Sequence, residues 1–289
     1  MPVMTADLSV DIARKLYIDR WGISTLTDFT TNLYAQFSNK SPQLVYVRAV
    51  IDDTNSNWTF SDGTTQADLG SVDAFGTTDK YLTIKRAVPS TDIEDEAFTL
   101  KFEFYKDSKY TQLLDTITKA MTANIVDFHS SPSGWTTSID TFDDGTVQGW
   151  SLTNCSIDSS ASINGTGYSI YYNGGTKTIA AEKAFTIPSG ISKAAVMFYW
   201  GAHTYGGYHY SGYSAYFKYV RVYINGTKVY EDYVNAGGGG HHYIGWYQVG
   251  IDLSQHAGQD VTIKIELESS VQSYSWCRMA IDDVIFSYK

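Results

Sequence analysis

The sequence predicts an all-β protein built as two successive β-sandwiches. Three observations predict it. Apolar–polar alternations of period two recur along the 289 residues. Turn chemistry separates many of them, at Asn164-Gly165, Asn173-Gly174-Gly175, Pro188-Ser189-Gly190 and Asn225-Gly226. Composition also shifts near residue 130: the first part holds only six of the 23 tyrosines and four of the 24 glycines.

Near the start, "SVDIARKLYIDRWG" reads as a short helix or an assembly arm. The runs "LVYVRAVID" (Leu44 to Asp52), "YLTIKRAV" (Tyr81 to Val88) and "AFTLKFEFY" (Ala97 to Tyr105) alternate as strands with one buried face. "STDIEDEAF" reads as an acidic, solvated turn. In "YTQLLDTITKAMTANIVDF" the residues Leu113, Leu114, Ile117, Met121 and Ile125 could line a helix, but Thr116, Thr118 and Thr122 favour a strand. The strand reading makes residues 1–132 an immunoglobulin-like sandwich, a base or assembly domain. "HSSPSGWTTS" has linker character and sets the boundary there. Beyond it, "WSLTNCSI", "YSIYYN", "KTIAAEKAFTI", "AAVMFYWGA", "AYFKYVRVYIN", "TKVYEDYV", "IGWYQVGIDL", "DVTIKIELE" and "CRMAIDDVIFSY" follow as strands, with a hairpin around Asn225-Gly226-Thr227. Such a series makes residues 133–289 an antiparallel jelly-roll β-sandwich.

With 21 basic against 31 acidic residues and a net charge of −10, no basic stripe can neutralise phosphates, which excludes nucleic acid and anionic membranes as partners. No apolar run approaches the ~20 residues of a spanning helix, so membrane insertion is not expected. The start "MPVMTADLSV" has neither a basic nor an apolar region and reads as lacking a secretion signal. Composition rich in Tyr, Ser, Thr, Gly and Asn nonetheless suits an extracellular or particle-surface protein. Glycosylation sequons at Asn39, Asn57, Asn154, Asn164 and Asn225 are ordinary in so Ser/Thr-rich a chain. Cys155 and Cys277 stand near the two ends of the second part. They read either as buried thiols or as a disulfide, since the outer strands of a jelly roll often lie side by side. Neither belongs to a CxxC motif.

"IDTFDDGTVQGWSL", "AAVMFYW", "YVRVYINGTKVYED", "VGIDLSQHAGQDVTIKIELE" and the closing "AIDDVIFSY" resemble the jelly-roll carbohydrate-binding modules and related galactose-binding-like or concanavalin-like sandwiches, over about residues 138–289. The resemblance implies a structural calcium held by Asp143 and Asp282, with Asp143 standing where the family usually has Glu. Alternation points the same way: Asp282 should share a strand face with Val284 and Phe286 and turn inward. A carboxylate there needs a cation, an arginine such as Arg278, or hydrogen-bond donors. Asp283 should face the other side.

Two segments, "AHTYGGYHYSGYSAYFKY" and "NAGGGGHHYIGWY", crowd rings among glycines and serines and read as hairpin ends. Tyr205, Tyr208, Tyr210, Tyr213, Tyr243 and Trp246 are the candidate ligand-binding residues, for sugar or for protein, at the end of the sandwich away from the first domain. His203, His209, His241 and His242 lack a zinc spacing. No catalytic motif occurs: Glu231 and Asp232 sit beside a hairpin, and Glu266 and Glu268 share a solvent face, so no enzyme is expected. The leading functional reading is a structural and attachment protein of a virion or other particle, exposed on its surface and assembled as a homo-oligomer or with other subunits. The alternative is a secreted, extracellular carbohydrate-binding or adhesin module that meets a cell-surface glycan.

Overall fold

The computed structural model describes residues 7–23, 26–53, 57–163, 167–206, 215–238, 240–271 and 275–289. The chain divides into two compact units, residues 1–126 and 127–289. The division precedes the expected boundary at 132/133 because the "HSSPSGW" stretch folds with the second unit. There Phe128 packs edge to face on Trp135, centroids 5.1 Å apart.

The first unit is a two-sheet sandwich of nine strands: β1 (Leu8–Ile12), β2 (Lys15–Asp19), β3 (Asp28–Asn39), β4 (Val45–Asp52), β5 (Trp58–Phe60), β6 (Gln66–Val72), β7 (Thr77–Ala87), β8 (Ile93–Tyr105) and β9 (Leu113–Val126). One sheet has the order β1-β3-β7-β5 and the other β2-β9-β8-β4-β6. All pairs are antiparallel except β2 with β9. The segment expected as a helix or arm is instead β1 and β2, which join opposite sheets. Val10 and Ile12, then Leu16 and Ile18, are spaced by two and enter the core, which a helix would not allow. β9 is a strand, as the threonines indicate, with Met121, Ala123 and Ile125 buried.

The acidic segment expected as a solvated turn also differs. Ile93 to Phe98 opens β8, and the Glu96 carboxylate is nearly enclosed. It accepts from Arg86 Nη2 (2.6 Å) and Nε (2.7 Å), from Trp58 Nε1 (2.9 Å) and from Asn57 Nδ2 (3.1 Å). Trp58 is fully buried and stacks on Phe98 at 4.8 Å. Burying the ion pair is tolerable because its hydrogen bonds are made on both sides.

The second unit is the jelly roll: β10 (Thr136–Asp140), β11 (Ser151–Thr153), β12 (Ser156–Asp158), β13 (Ser169–Gly174), β14 (Lys177–Thr186), β15 (Ala194–Gly206), β16 (Ala215–Ile224), β17 (Thr227–Gly238), β18 (Gly240–Asp252), β19 (Asp260–Val271) and β20 (Trp276–Tyr288). The front sheet runs β12-β13-β20-β15-β18, with β10 also on β20; the back sheet runs β11-β14-β19-β16-β17. β16 and β17 form the expected hairpin, with Asn225 and Gly226 at φ 50° and 80°, as a two-residue turn between twisted strands requires. Between the sheets lie alternating aliphatic and aromatic side chains, including Val196, Phe198 and Trp200 of β15 and Ile263, Ile265 and Leu267 of β19.

Cys155 and Cys277 are free thiols. Their bridging is corrected by strand order, because β13 intervenes between β12, which follows Cys155, and β20, which carries Cys277. Burial pushes the two thiols up to about 11 and about 12.

Replacing Glu96 with Ala strands Arg86 in the first core and is expected to cost about 3–5 kcal/mol. Urea unfolding followed by near-ultraviolet signal checks it; a loss below about 1 kcal/mol would show that water replaces the carboxylate readily.

Candidate functional site

Strand β20 decides which side chains leave the core of the front sheet. Its core residues are Cys277, Met279 and Ile281, then Val284 and Phe286. Strict alternation cannot place both sets on one face. The register against β15 supplies the extra residue: Tyr199 opposes Asp282, but Met197 opposes Ile285. Asp283 sits at this β-bulge with φ 42°. The expectation that Asp282 faces inward beside Val284 is therefore corrected. Asp282 lies on the outer face, in line with Trp276, Arg278 and Ala280.

Asp282 is nonetheless 1% exposed. The chain before β13 covers it: Oδ2 accepts from the Ile163 N–H and Oδ1 from the Asp283 N–H, each at 2.9 Å. Burial pushes its carboxyl up to about 7, against the pull of the Ile163 N–H. Arg278 makes no ion pair with it among the described residues. Asp283 Oδ2 lies 3.2 Å from His129 Nε2, and its buried Oδ1 has no partner among the described residues. Asp143 is exposed, and its Oδ1 accepts from the Tyr168 N–H at 3.4 Å. Gly167, at φ 113°, makes this approach possible, since a Cβ there would stand 1.9 Å from Asp143 Oδ1. Asp143 and Asp282 thus hold opposite ends of one short segment, Ile163 to Tyr168.

The outer face of the front sheet forms a hollow of about 260 Å³. Its floor is small: Gly201 of β15 and Ala280 of β20. Trp246 of β18 lies over Gly201, where an added Cβ would meet the indole at 3.3 Å. Ser160 and Ala161, on the segment anchored by Asp282, form one wall with Tyr171 of β13; His203, Tyr243 and Arg278 form another. The rings at this wall hold one another. His203 stacks on Tyr243 at 3.9 Å and meets Trp276 edge-on at 4.8 Å. Tyr205 stacks on Trp276 at 5.5 Å and leans on His241 at 4.5 Å. His203 Nε2 and His241 Nδ1 are 3.2 Å apart, a hydrogen bond that one ring must donate. Burial, then the neighbouring His241 and Arg278, hold His203 below its ordinary pKa. Arg278 lies over Trp276 at 4.7 Å, and its buried Nε–H has no partner among the described residues.

Of the candidate ligand-binding residues, Tyr243, Trp246 and Tyr205 belong to this assembly. Tyr243 is 78% exposed and Trp246 half-buried. Tyr208, Tyr210 and Tyr213, with His209, lie outside the described residues. The two ring-rich segments are not hairpin ends. β15 and β18 are in the front sheet and β16 and β17 in the back, so both segments cross between sheets. They do so at the end of β20 that carries Trp276, opposite the end where Thr136 pairs with Tyr288. Sequence reasoning missed Tyr171, Trp276 and Arg278 as site residues. The alternation Trp276, Arg278, Ala280 along the closing strand was the available signal.

The back sheet's outer face differs. Arg221 donates to Glu231 (2.7 Å), Glu268 (2.6 Å) and Glu266 (3.3 Å). Burial alone would lower its pKa, but these hydrogen bonds raise it instead. Glu266 and Glu268 face outward as expected, yet both are held by this guanidinium.

No family model and no curated protein matches the sequence. The solved structures similar to it are mostly carbohydrate-binding modules of β-sandwich fold. One, TmCBM61 in complex with β-1,4-galactotriose, is 15% identical and has a TM-score of 0.32, covering 52% of this chain and 94% of its own. TmCBM27, a module of specific mannan recognition, is 12% identical with a TM-score of 0.34, covering 54% and 99%. The tandem CBM22-1–CBM22-2 of Paenibacillus barcinonensis Xyn10C is 10% identical with a TM-score of 0.30, covering 99% and 93%. Likenesses of this size assign no ligand to this chain.

The raised pKa of Asp282 makes stability depend on pH. The folded state holds this proton more tightly than the unfolded chain does, so its contribution is full below the ordinary value of 3.8 and is lost as pH rises to about 7. In metal-free buffer the melting temperature of the second unit should fall across that window. Asp282→Asn should remove this part of the slope; an unchanged slope would assign it to other groups.

Proposed function

We propose that the second unit is a carbohydrate-binding domain whose ligand lies across the outer face of the front sheet. One observation carries the reading: a hollow with a glycine–alanine floor is flanked by Trp246 and Tyr243, with polar groups of His203 and Arg278 at its wall. A sugar ring has apolar faces and a rim of hydroxyls. It suits flat aromatic surfaces beside a few directed donors. The hollow's lining residues include no carboxylate among the described residues, so the activity proposed is binding without glycosidic cleavage. Arg221 occupies Glu231, Glu266 and Glu268 on the back sheet, which supports the same reading. These features favour the extracellular recognition module over the virion or particle protein and reverse the order drawn from the sequence.

Affinity electrophoresis of the full chain against galactan, mannan, xylan and pectic polysaccharides tests this. At least one should retard the protein. Trp246→Ala should weaken that binding by about tenfold or more, since a stacking surface is lost. Tyr243→Ala should weaken it while changing stability by no more than about 0.5 kcal/mol, because the ring is mostly exposed. Retardation by none of them would remove the reading.

Calcium at Asp143 and Asp282 belongs to the same proposal. Three features support it: both carboxylates hold the segment Ile163 to Tyr168, Gly167 leaves room for Asp143 alone, and Asp282 is a desolvated carboxylate that a cation would favour in its ionised form. A bound ion would stiffen the hollow's wall at Ser160 and Ala161. Excess calcium should raise the melting temperature at pH 7 and a chelator should lower it, because an ion bound only by the folded state stabilises it by mass action. A melting curve indifferent to both would leave Asp282 as a carboxylate satisfied by backbone amides.

A further inference from the structure

The proposed groove contains one cation without a counter-charge. The chain has six arginines, at 14, 20, 48, 86, 221 and 278. Arg20, Arg48, Arg86 and Arg221 each carry a carboxylate partner at 2.6–2.9 Å, and Arg14 is exposed to water. Arg278 has none among the described residues, although it is half-buried and its Nε–H is shut away from water. The undescribed segments of the second unit, residues 164–166, 207–214, 239 and 272–274, contain no Asp or Glu. Trp276 lies beneath this guanidinium, with His203 and Tyr171 lining the same hollow, and Asp158 near Tyr171 makes no ion pair with it among the described residues.

A guanidinium half out of water and without its own anion is a costly arrangement. It becomes favourable when a ligand brings the anion, because the planar fork of an arginine pairs with a carboxylate through two parallel hydrogen bonds. Stacking on Trp276 orients that fork in advance, as a ring face attracts a cation. The carboxylate must arrive on something that also lies against Trp246 and Tyr243, which is the shape of a sugar ring with an acid at its edge.

We propose that the groove selects an acidic glycan, a polysaccharide of uronic acid residues whose carboxylate pairs with Arg278. This rests on the carbohydrate-binding reading and narrows it. The net charge of −10 opposes a polyanion at long range, but about 0.1 M salt screens charges beyond roughly 10 Å and leaves the contact pair. Specificity therefore resides in the groove and not in the overall field.

The test uses the full chain in about 0.1 M salt with two forms of one polymer. Polygalacturonate presents free carboxylates; its methyl ester presents the same backbone without charge. Titration calorimetry should show polygalacturonate bound about tenfold tighter or more than the ester. Arg278→Gln should erase that difference, weakening polygalacturonate by about tenfold more than it weakens the ester, with the melting temperature near that of the parent. Arg278→Lys should keep only part of the preference, since it retains the charge and loses the fork. Equal affinity for acid and ester, or tighter binding of a neutral galactan, mannan or xylan, would overturn the acidic-ligand proposal while leaving glycan binding in place. Binding of none of these polymers would overturn both. A preference for polygalacturonate that survives in Arg278→Gln would also overturn it, by locating the recognition elsewhere.

Discussion

The extra residue in β20 is the constraint on which the second unit's front face depends. β20 pairs with β13 through its first half and with β10 through its second, and both partners lie on the same edge. One strand must therefore present a core face to the back sheet along its whole length while its neighbours change. The bulge at Asp283 meets that demand by resetting alternation once, at the joint. Cys277, Met279 and Ile281 remain inward before it, and Val284 and Phe286 after it. Without the extra residue, either Val284 and Phe286 or the first three would turn outward, and a one-residue slip would exchange core and solvent faces along half the strand. The same reset leaves Trp276, Arg278 and Ala280 on the outer face, where the groove is.

The bulge also accounts for two buried carboxylates side by side in a jelly-roll core strand. Asp282 accepts the Ile163 N–H from a segment outside the sheet, which fixes the wall of the hollow, and Asp283 turns to His129 in the turn that opens the unit. The structural role and the proposed binding role thus fall within five residues of chain: the carboxylate that anchors the wall is separated from the Arg278 guanidinium only by Met279, Ala280 and Ile281. The two outer faces of the sandwich divide the charge accordingly. On the back sheet a single arginine holds Glu231, Glu266 and Glu268. On the front sheet a single arginine lies over Trp276 in a hollow lined by His203 and Tyr171, with no ion pair among the described residues.

Strand content and order were legible because each strand alternates at period two and carries its own turn residues. β4, β8 and the Asn225-Gly226 hairpin are examples. What escaped the sequence was non-local. The segment that holds Ile12 and Leu16 read as a short helix or an arm, whereas its residues enter the core from two different sheets. Glu96 read as solvated because its three partners stand 10 to 39 positions away in sequence. The parity of Asp282 was misread because a bulge leaves no composition signal when the residue is Asp rather than Gly. The aromatic candidates were legible as ring-rich segments, yet Trp276 and Arg278 belong to a strand whose hydrophobic run looked like core alone. Only the pairing of β20 with β15 shows that alternate members of that run face His203 and Gly201.

Ring contacts within the groove bear on how much affinity a ligand can realise. Association is opposed by the ordering of side chains, about 0.5–1.5 kcal/mol for each rotamer-rich group immobilised. Here much of that ordering precedes the ligand. His203 is held between Tyr243 and the edge of Trp276, Tyr205 is held by Trp276 and His241, and the Trp246 indole rests on a glycine that offers no side chain to displace it. Arg278 is oriented by the Trp276 face but not neutralised by it. On the proposed carbohydrate-binding reading, a ligand finds apolar surfaces already in place and one charge without an ion pair among the described residues, so shape would contribute general affinity for sugar rings. Discrimination among them falls to the single group whose partner the protein does not supply.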